Sequence, residues 1–288
     1  MVLIDGWFSV KQLLHHLKRG RLVVIGQPVF WSMVILELLY ERLMDSILRR
    51  SCEADLVNSE LTAIIKTFER PKELRRLVKS IRRFYPSMKI IVVDDSREPT
   101  VLEGVETIAL PYDSGVSAGR NRALSAVTTK YTLLLDDDYL FYRHTELNGP
   151  LQMMEKCQEI DIMGGERVDL PLYRKVDYRE AKLFPVHKES LRPLGTVVCA
   201  LPVQDKVANF YIARTARLRL VAWDDTLKRL DHADFFSRAK GVLLTVFDRN
   251  FKVLHAQTPY NKRYMEKRFA LREDQQRLRE KYYKQTMR

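Results

Sequence analysis

"LLLDDDYLF", Leu133–Phe141, runs three leucines straight into three aspartates. A short continuous apolar run reads as a buried strand. Three adjacent carboxylates repel one another unless a cation or hydrogen-bond donors stand close by. Taken alone, the stretch has two readings: an acidic turn that ends a strand, or a charged site built at a strand's end. "KIIVVDDS", Lys89–Ser96, repeats the design, an apolar run closing on Asp94 and Asp95.

Working outward, "LTAIIKTF" from Leu61 is a first strand, and "KIIVVDDS" a second. Between them, Pro71 opens a helix that carries Leu74, Leu77, Val78, Ile81 and Phe84 along one face. "VETIALP" is a third strand, "SAGRNRALSAV" a helix and "YTLLLDDD" a fourth strand. Residues 145–157 predict another helix. "IDIMGGERV" predicts a strand and a turn, with flexible backbone at Met163–Glu166. The alternation predicts an α/β fold: one domain of right-handed βαβ units, a mostly parallel central sheet and helices on both faces. Ligands of such sheets bind beyond the carboxyl ends of the strands, where both acidic clusters are expected. That coincidence favours the charged site over the turn.

The 288 residues suffice for one full core with appendages, and no internal repeat interrupts them. Residues 1–60 read as a helical extension, 61–258 as the α/β domain and 259–288 as a basic helical tail. "LVVIGQPVFWSMVILELLY", Leu22–Tyr40, approaches the length of a membrane span, but Gln27, Pro28 and Glu37 interrupt it. It is read as amphipathic helix, at an interface or packed on the main domain. The opening "MVLIDGWFSVKQ" lacks the pattern of a signal peptide. Cys52, Cys157 and Cys199 are odd in number, far apart and without metal-ligand spacing. They predict no disulfide scaffold, no zinc site and a reducing compartment.

A net charge of +12 asks for an anionic partner. From Asn261 to Arg288 there are ten Lys/Arg against four Asp/Glu, so half of the net charge sits in the tail. A nucleic-acid binder spreads its basic surface over the main domain, so no nucleic-acid partner is expected. A basic helix lying on an anionic membrane surface is, as is one packed along the domain.

The chemistry suited to these carboxylates is that of a nucleoside diphosphate neutralised by a hard divalent cation, magnesium or manganese. On an extended chain Asp136 and Asp138 share one side and Asp137 faces away. One of the pair holds metal, and the other a ribose or a metal-bound water. Asp94 and Asp95 either accept from a base N–H or ribose hydroxyl, or form a turn cluster with Ser96. In "DSGVSAGRNRAL", Ser117 and Gly119 fit a tight turn into a helix whose N-terminal amides favour anions. Arg120 and Asn121 are nucleotide contacts there, unless the stretch is simply a capped surface helix.

The ordered set from "IIKTFERPKELRRL" to "LPYDSGVSAGRNRAL" and "YTLLLDDDYLF" resembles a family of inverting glycosyltransferases. It is similar to the ganglioside-type β-1,4-N-acetylgalactosaminyltransferases, within the glycosyltransferase A-type fold of family-2-like enzymes. The resemblance covers roughly Leu61 to Ala256. It implies a UDP-sugar donor, a glycan or glycolipid acceptor, and Mn2+ or Mg2+ as cofactor. It places uridine on Asp94 and Asp95, with Thr67, Glu69, Arg120, Asn121, Asp136 and Asp137 around the donor. Metal falls to Asp136 and Asp138, with His255 of "FKVLHAQ" as third ligand. An inverting transfer needs one base within reach of the acceptor hydroxyl. "WDDTLKRLDHADFFSRAKG" offers Asp231, Asp234 and His232, and Asp231 also suits an N-cap. Trp223 is either a sugar-stacking ring or a core aromatic.

Animal members of that family carry an N-terminal anchor and stem, whereas this chain opens on amphipathic segments. The expected placement is membrane-associated, in the Golgi lumen of an animal cell or on the cytoplasmic face in a microbe. Two other readings remain: a nucleotidyltransferase, which wants a glycine-rich phosphate loop that "IIKTFERP" lacks, and a non-catalytic polyanion-binding module of the same fold.

Overall fold

The computed structural model describes residues 23–48, 55–179 and 182–283. Of the helical extension expected over residues 1–60, residues 1–22 and 49–54, Cys52 among them, lie outside the described residues.

Four strands, β1 (Leu61–Thr67), β2 (Lys89–Asp94), β3 (Glu106–Ala109) and β4 (Tyr131–Asp136), pair in parallel in the order β3-β2-β1-β4. The chain then adds β5 (Tyr139–Leu140), β6 (Ile162–Leu170) and β7 (Arg174–Lys175), a β8–β9 hairpin (Val197–Val198, Leu201–Pro202), β10 (Tyr211–Arg214) and β11 (Thr245–Ala256). The main sheet continues β4-β10-β6-β11-β5, with β11 parallel to β6 and β10 antiparallel to both of its neighbours. The mostly parallel sheet expected from the sequence is present, with β10 as a reversed strand inside it. An antiparallel neighbour needs no crossover helix, and the chain reaches β10 through the long irregular stretch after β7.

β1, β2 and β4 are apolar on both faces because helices cover both. Ala63, Ile65, Leu133 and Leu135 meet Leu74, Leu77 and Ile81 of α3 (Pro71–Phe84; α1 and α2 are given below). Ile64 and Leu134 point the other way, toward Ala123 and Leu124 of α4 (Val116–Ala126). Also on the first side is α5 (Asn148–Lys156), through Leu151 and Met154. A short α6 (Thr215–Arg219) follows β10, and α7 (Asp231–Ala239) joins α4 through Phe235 and Phe236.

Two expectations change. Met163–Glu166 is no turn but the buried interior of β6. The glycines there admit close neighbours: a Cβ on Gly165 would stand 2.5 Å from a Phe210 ring carbon and 2.6 Å from the Phe251 carbonyl oxygen. The thiols expected to be reduced are paired instead, Cys157 with Cys199. A separation of 42 residues leaves no local signature, and only the fold brings the end of α5 against the β8–β9 turn. Among the described residues no helix is long and apolar enough to cross a membrane. The described part of the Leu22–Tyr40 stretch, from Val23, belongs to α1 (Val23–Leu48), whose Phe30 and Val34 pack on Leu140, Val168 and Leu254. A short α2 (Asp55–Glu60) leads from there into β1.

The 259–288 stretch forms α8 (Lys262–Arg268) and α9 (Arg272–Tyr282) within its described part. Leu278 and Tyr282 of α9 bury against Leu227, and Phe184 stacks on Tyr282 at 4.6 Å. The Asp274 carboxylate accepts from the backbone N–H groups of Lys228, Arg229 and Leu230 at 3.1, 2.6 and 2.9 Å.

Because its extra methyl meets both an aromatic edge and a fixed carbonyl, Gly165→Ala is expected to cost about 1–3 kcal/mol or more. Urea unfolding followed by circular dichroism reads this as a lowered midpoint. An unchanged midpoint would show that β6 has room the packing denies.

Candidate active site

The parallel register brings the carboxyl ends of β1, β2, β4, β6 and β11 to one edge: Thr67 lies beside Asp94, Lys66 beside Asp136, and Asp169 beside His255. A cavity opens there, lined by Asp136, Asp137, Asp138, Asp231 and His255. Its walls also carry eight Lys/Arg, namely Lys66, Arg70, Arg120, Arg167, Lys228, Arg229, Lys267 and Arg268, against five aspartates with Asp113 included. An excess of cations suits a multiply charged anion such as a diphosphate.

Two buried arginines hold the carboxylates. Arg120, from the first half of α4, reaches Asp136 Oδ1 at 2.7 Å and also bonds Asp231. Arg70, immediately before α3, bridges Asp137 at 2.6 Å and Asp138 at 2.9 Å, donates to Thr258 and stacks on the Tyr264 ring. Asp137 faces away from its two neighbours' other contacts and accepts from Thr67 Oγ1 at 2.8 Å. Burial pushes the Asp137 carboxyl above its ordinary range despite Arg70. For Asp138 burial acts the same way, but His255 and Arg70 outweigh it and hold the group well below that range.

His255 Nε2 stands 3.2 Å from Asp138, and Nδ1 lies 2.7 Å from Asp169 Oδ1. Burial disfavours the imidazolium, yet Asp138 and Asp169 together push His255 up to about 9. Asp136, Asp138 and His255 thus share one cavity wall, although their ligand atoms do not all close to within 4.8 Å of one another. The donor chemistry, two carboxylates and an imidazole, fits Mn2+ or Mg2+. A carboxylate on the far nitrogen, as Asp169 provides, is the usual device that orients a metal-ligating histidine.

The three candidate bases part company. Asp231, in the first turn of α7, lines the cavity, and burial raises its carboxyl against the pull of Arg120. The residue preceding the helix is Leu230, so Asp231 is not its N-cap. Asp234 is fully buried on another side, held by Arg238, Lys281 and the Tyr282 hydroxyl. His232 makes a 2.7 Å bond from Nε2 to the Val207 carbonyl, so that nitrogen carries the hydrogen. Burial and the nearby Lys206 push its pKa down to about 3.

The remaining expected donor contacts lie off the cavity wall. Asp94 accepts from the Ser96 and Thr100 amides at 2.9 and 2.8 Å, a turn cluster. Asp95 pairs with Lys66 at 2.6 Å and accepts from the Gly115 N–H. The Glu69 carboxylate accepts from the Arg97 amide. Asn121 brackets the Trp223 backbone and bonds Asp225. Trp223 itself is a core ring, stacked on Phe235 at 5.2 Å. Site residues that sequence reasoning missed are Lys66, Arg70, Arg167, Asp169, Asn209 and the α8 side chains Tyr264, Lys267 and Arg268. Asking which cation accompanies three buried carboxylates would have pointed at Arg70; Asn209, whose amide reaches Asp136 at 3.3 Å, has no local signal.

Replacing Arg70 by methionine strands two buried carboxylates, and a loss of about 3–5 kcal/mol of stability is expected. Thermal or urea unfolding checks this; a change under 1 kcal/mol, on the scale of an exposed pair, would show that water already solvates Asp137 and Asp138.

Comparison with known proteins agrees with this geometry. Residues 62–164 match the model of glycosyl transferase family 2. Beta-1,4 N-acetylgalactosaminyltransferase 2 of Mus musculus is 38% identical over 194 residues, covering 65% of this chain and 38% of that protein. Beta-1,4 N-acetylgalactosaminyltransferase 1 of Homo sapiens is 35% identical over 205 residues, covering 65% of this chain and 37% of that one. The chain therefore spans well under half the length of these relatives. S. aureus TarS 1–349 in complex with UDP-GlcNAc superposes with a TM-score of 0.55 at 15% identity, over 69% of this chain and 59% of that chain, a likeness of fold. By these matches and the sheet that carries them, residues 62–164 are the part of the chain that matches glycosyl transferase family 2.

Proposed function

We propose that this chain moves an N-acetylhexosamine from a UDP-sugar to a hydroxyl of a glycan or glycolipid, with inversion and with a divalent metal. One observation carries the reading: Asp136, Asp138, His255 and Asp231 stand around a single cavity rimmed by Lys and Arg. The names of the relatives support the hexosamine, and the UDP-GlcNAc held by TarS supports a UDP-sugar.

In this reading Asp231 takes the proton of the acceptor hydroxyl, and that oxygen attacks the anomeric carbon. The bond from that carbon to the diphosphate oxygen breaks, and the electron pair leaves with the diphosphate. Asp136, Asp138 and His255 would hold the metal, which when bound neutralises charge on the leaving group. Lys267 and Arg268 have no carboxylate partner among the described residues and face the same cavity, placing further positive charge beside the diphosphate. Burial of Asp231 matches its role, since a base works best with its pKa brought toward the working pH.

We infer membrane association, in the Golgi lumen of an animal cell or on the cytoplasmic face in a microbe. The Cys157–Cys199 bond supports an oxidising compartment. The intact carboxylates lining the cavity speak against a non-catalytic module, and a nucleotidyltransferase would want the glycine-rich phosphate loop that "IIKTFERP" lacks.

Calorimetry with UDP, with and without Mn2+, tests the donor site. Metal-dependent binding is expected, and Asp138→Ala is expected to weaken it by at least about tenfold while Arg70 keeps Asp137 and His255 keeps Asp169. Unchanged metal-dependent affinity would remove Asp138 from the site.

Asp231→Asn is expected to lower transfer by roughly 10²–10⁴-fold with UDP affinity retained. In the parent enzyme, protonation of Asp231 as pH falls removes the base, so rate drops on the acid side. That limb lies above the ordinary carboxylate value because burial raises the group. A limb lost in His232→Gln and kept in Asp231→Asn would transfer the role to His232.

A further inference from the structure

The 26-residue helix α1 is sorted in an unusual way for a surface helix. Each of its acids turns toward the domain and is paired there: Glu37 with the Leu172 N–H at 2.8 Å, Glu41 with Arg143 and the Tyr173 hydroxyl, and Asp45 with the Arg143 N–H at 2.9 Å. The outward face is apolar. Leu36 is 66% exposed, Leu43 59% and Ile47 65%, with Val29, Ile35 and Leu39 beside them. From Val29 to Ile47 this stripe is about 27 Å long at the helical rise. The charged residue on that exposed face is Arg42. Beside the helix, the turn after β6 adds exposed Leu172 and Tyr173, and Lys175 follows, its side chain 61% exposed and paired with Glu166 at 3.1 Å.

We propose that the outward face of α1, together with the Leu172–Tyr173 turn, seats this protein on a bilayer surface that carries anionic headgroups. An apolar stripe of this length on a soluble domain marks a contact surface. A helix too polar to span and apolar on one long side lies in the interface plane with its apolar side chains among the acyl boundary. Charge favours lipid over a second copy of the chain: Arg42 stands on the stripe, and the net charge of +12 opposes self-association.

The seat lies close to the cavity. Phe30 of α1 meets Tyr260 edge-on at 5.4 Å, and Tyr260 leads directly into α8, whose Tyr264, Lys267 and Arg268 line the site. Ala256, next to His255, shares the cluster that buries Phe30. A seated α1 therefore holds the cavity beside the headgroups, where a lipid-linked acceptor presents its hydroxyl. The acceptor class rests on the transferase reading; the bilayer contact does not.

The test is flotation of the full chain with vesicles of phosphatidylcholine and phosphatidylserine, alongside the double variant Leu36→Ser/Leu43→Ser, which leaves charge unchanged. The parent is expected to float, and the variant to partition about tenfold more weakly or worse, with UDP binding and the unfolding midpoint unaltered. Absence of flotation overturns the proposal. So does flotation that survives the substitutions, which would be adsorption by the general basic surface. A dimer in solution that the double variant breaks, without flotation, overturns it in favour of a second copy. Loss of UDP binding in the parent would count against the transferase reading alone.

Discussion

A single buried guanidinium ties the site together. Arg120 is 3% exposed, and its fork joins Asp136 at the end of β4 to Asp231 at the start of α7. Removing such a cation from water costs several kcal/mol unless the geometry of its partners is good, so the strand end and the helix start are constrained to meet. Arg120 is itself placed by a tight entry into α4. Gly115 has φ of +103°, and a Cβ there would fall 2.7 Å from the Lys228 backbone, while the Val116 N–H donates to the Lys228 carbonyl. Three distant pieces of chain are thus fixed by one turn and one side chain.

Arg70 repeats the device on the other side of the same acidic run. Between them the two arginines meet all three aspartates of the motif, and His255 adds a further contact to Asp138. The repulsion among adjacent carboxylates is answered inside the protein, by cations that are themselves buried. Among the described residues, the lining cations without an acid partner are Lys267 and Arg268 of α8, the first half-buried and the second exposed. Positive charge within the floor serves the fold, and positive charge at the rim is available to an incoming anion.

Much of this is legible in the sequence. The strands β1, β2 and β4 are apolar on both faces, and α3 has clean helical spacing between Pro71 and Pro86, so local pattern and tertiary burial agree. The same agreement fixed which strand ends would carry acids. The reading failed where local pattern and fold diverge. Gly164–Gly165 looks like a turn because glycine usually marks one, yet here it makes room for Val207 and Phe210. Cys157 and Cys199 meet across 42 residues. Arg70, Asn209 and Asp169 join the site through long-range packing, and no spacing rule links them to the aspartates. Asp231, His232 and Asp234 are indistinguishable in sequence; one helical turn sends them to three different surroundings.

The Asp274 carboxylate, which gathers three consecutive backbone amides just ahead of Asp231, has a consequence for the order of assembly. Those partners lie 44 to 46 residues earlier in the chain, and Lys281 and Tyr282 reach back 47 and 48 residues to Asp234. During synthesis the sheet and its flanking helices are already available while α9 is still being made. The segment that delivers Asp231 has nothing among the described residues to hold its amides until α9 docks. A domain folds largely as a unit, so Asp231 takes its place in the cavity only as that docking fixes the loop ahead of it.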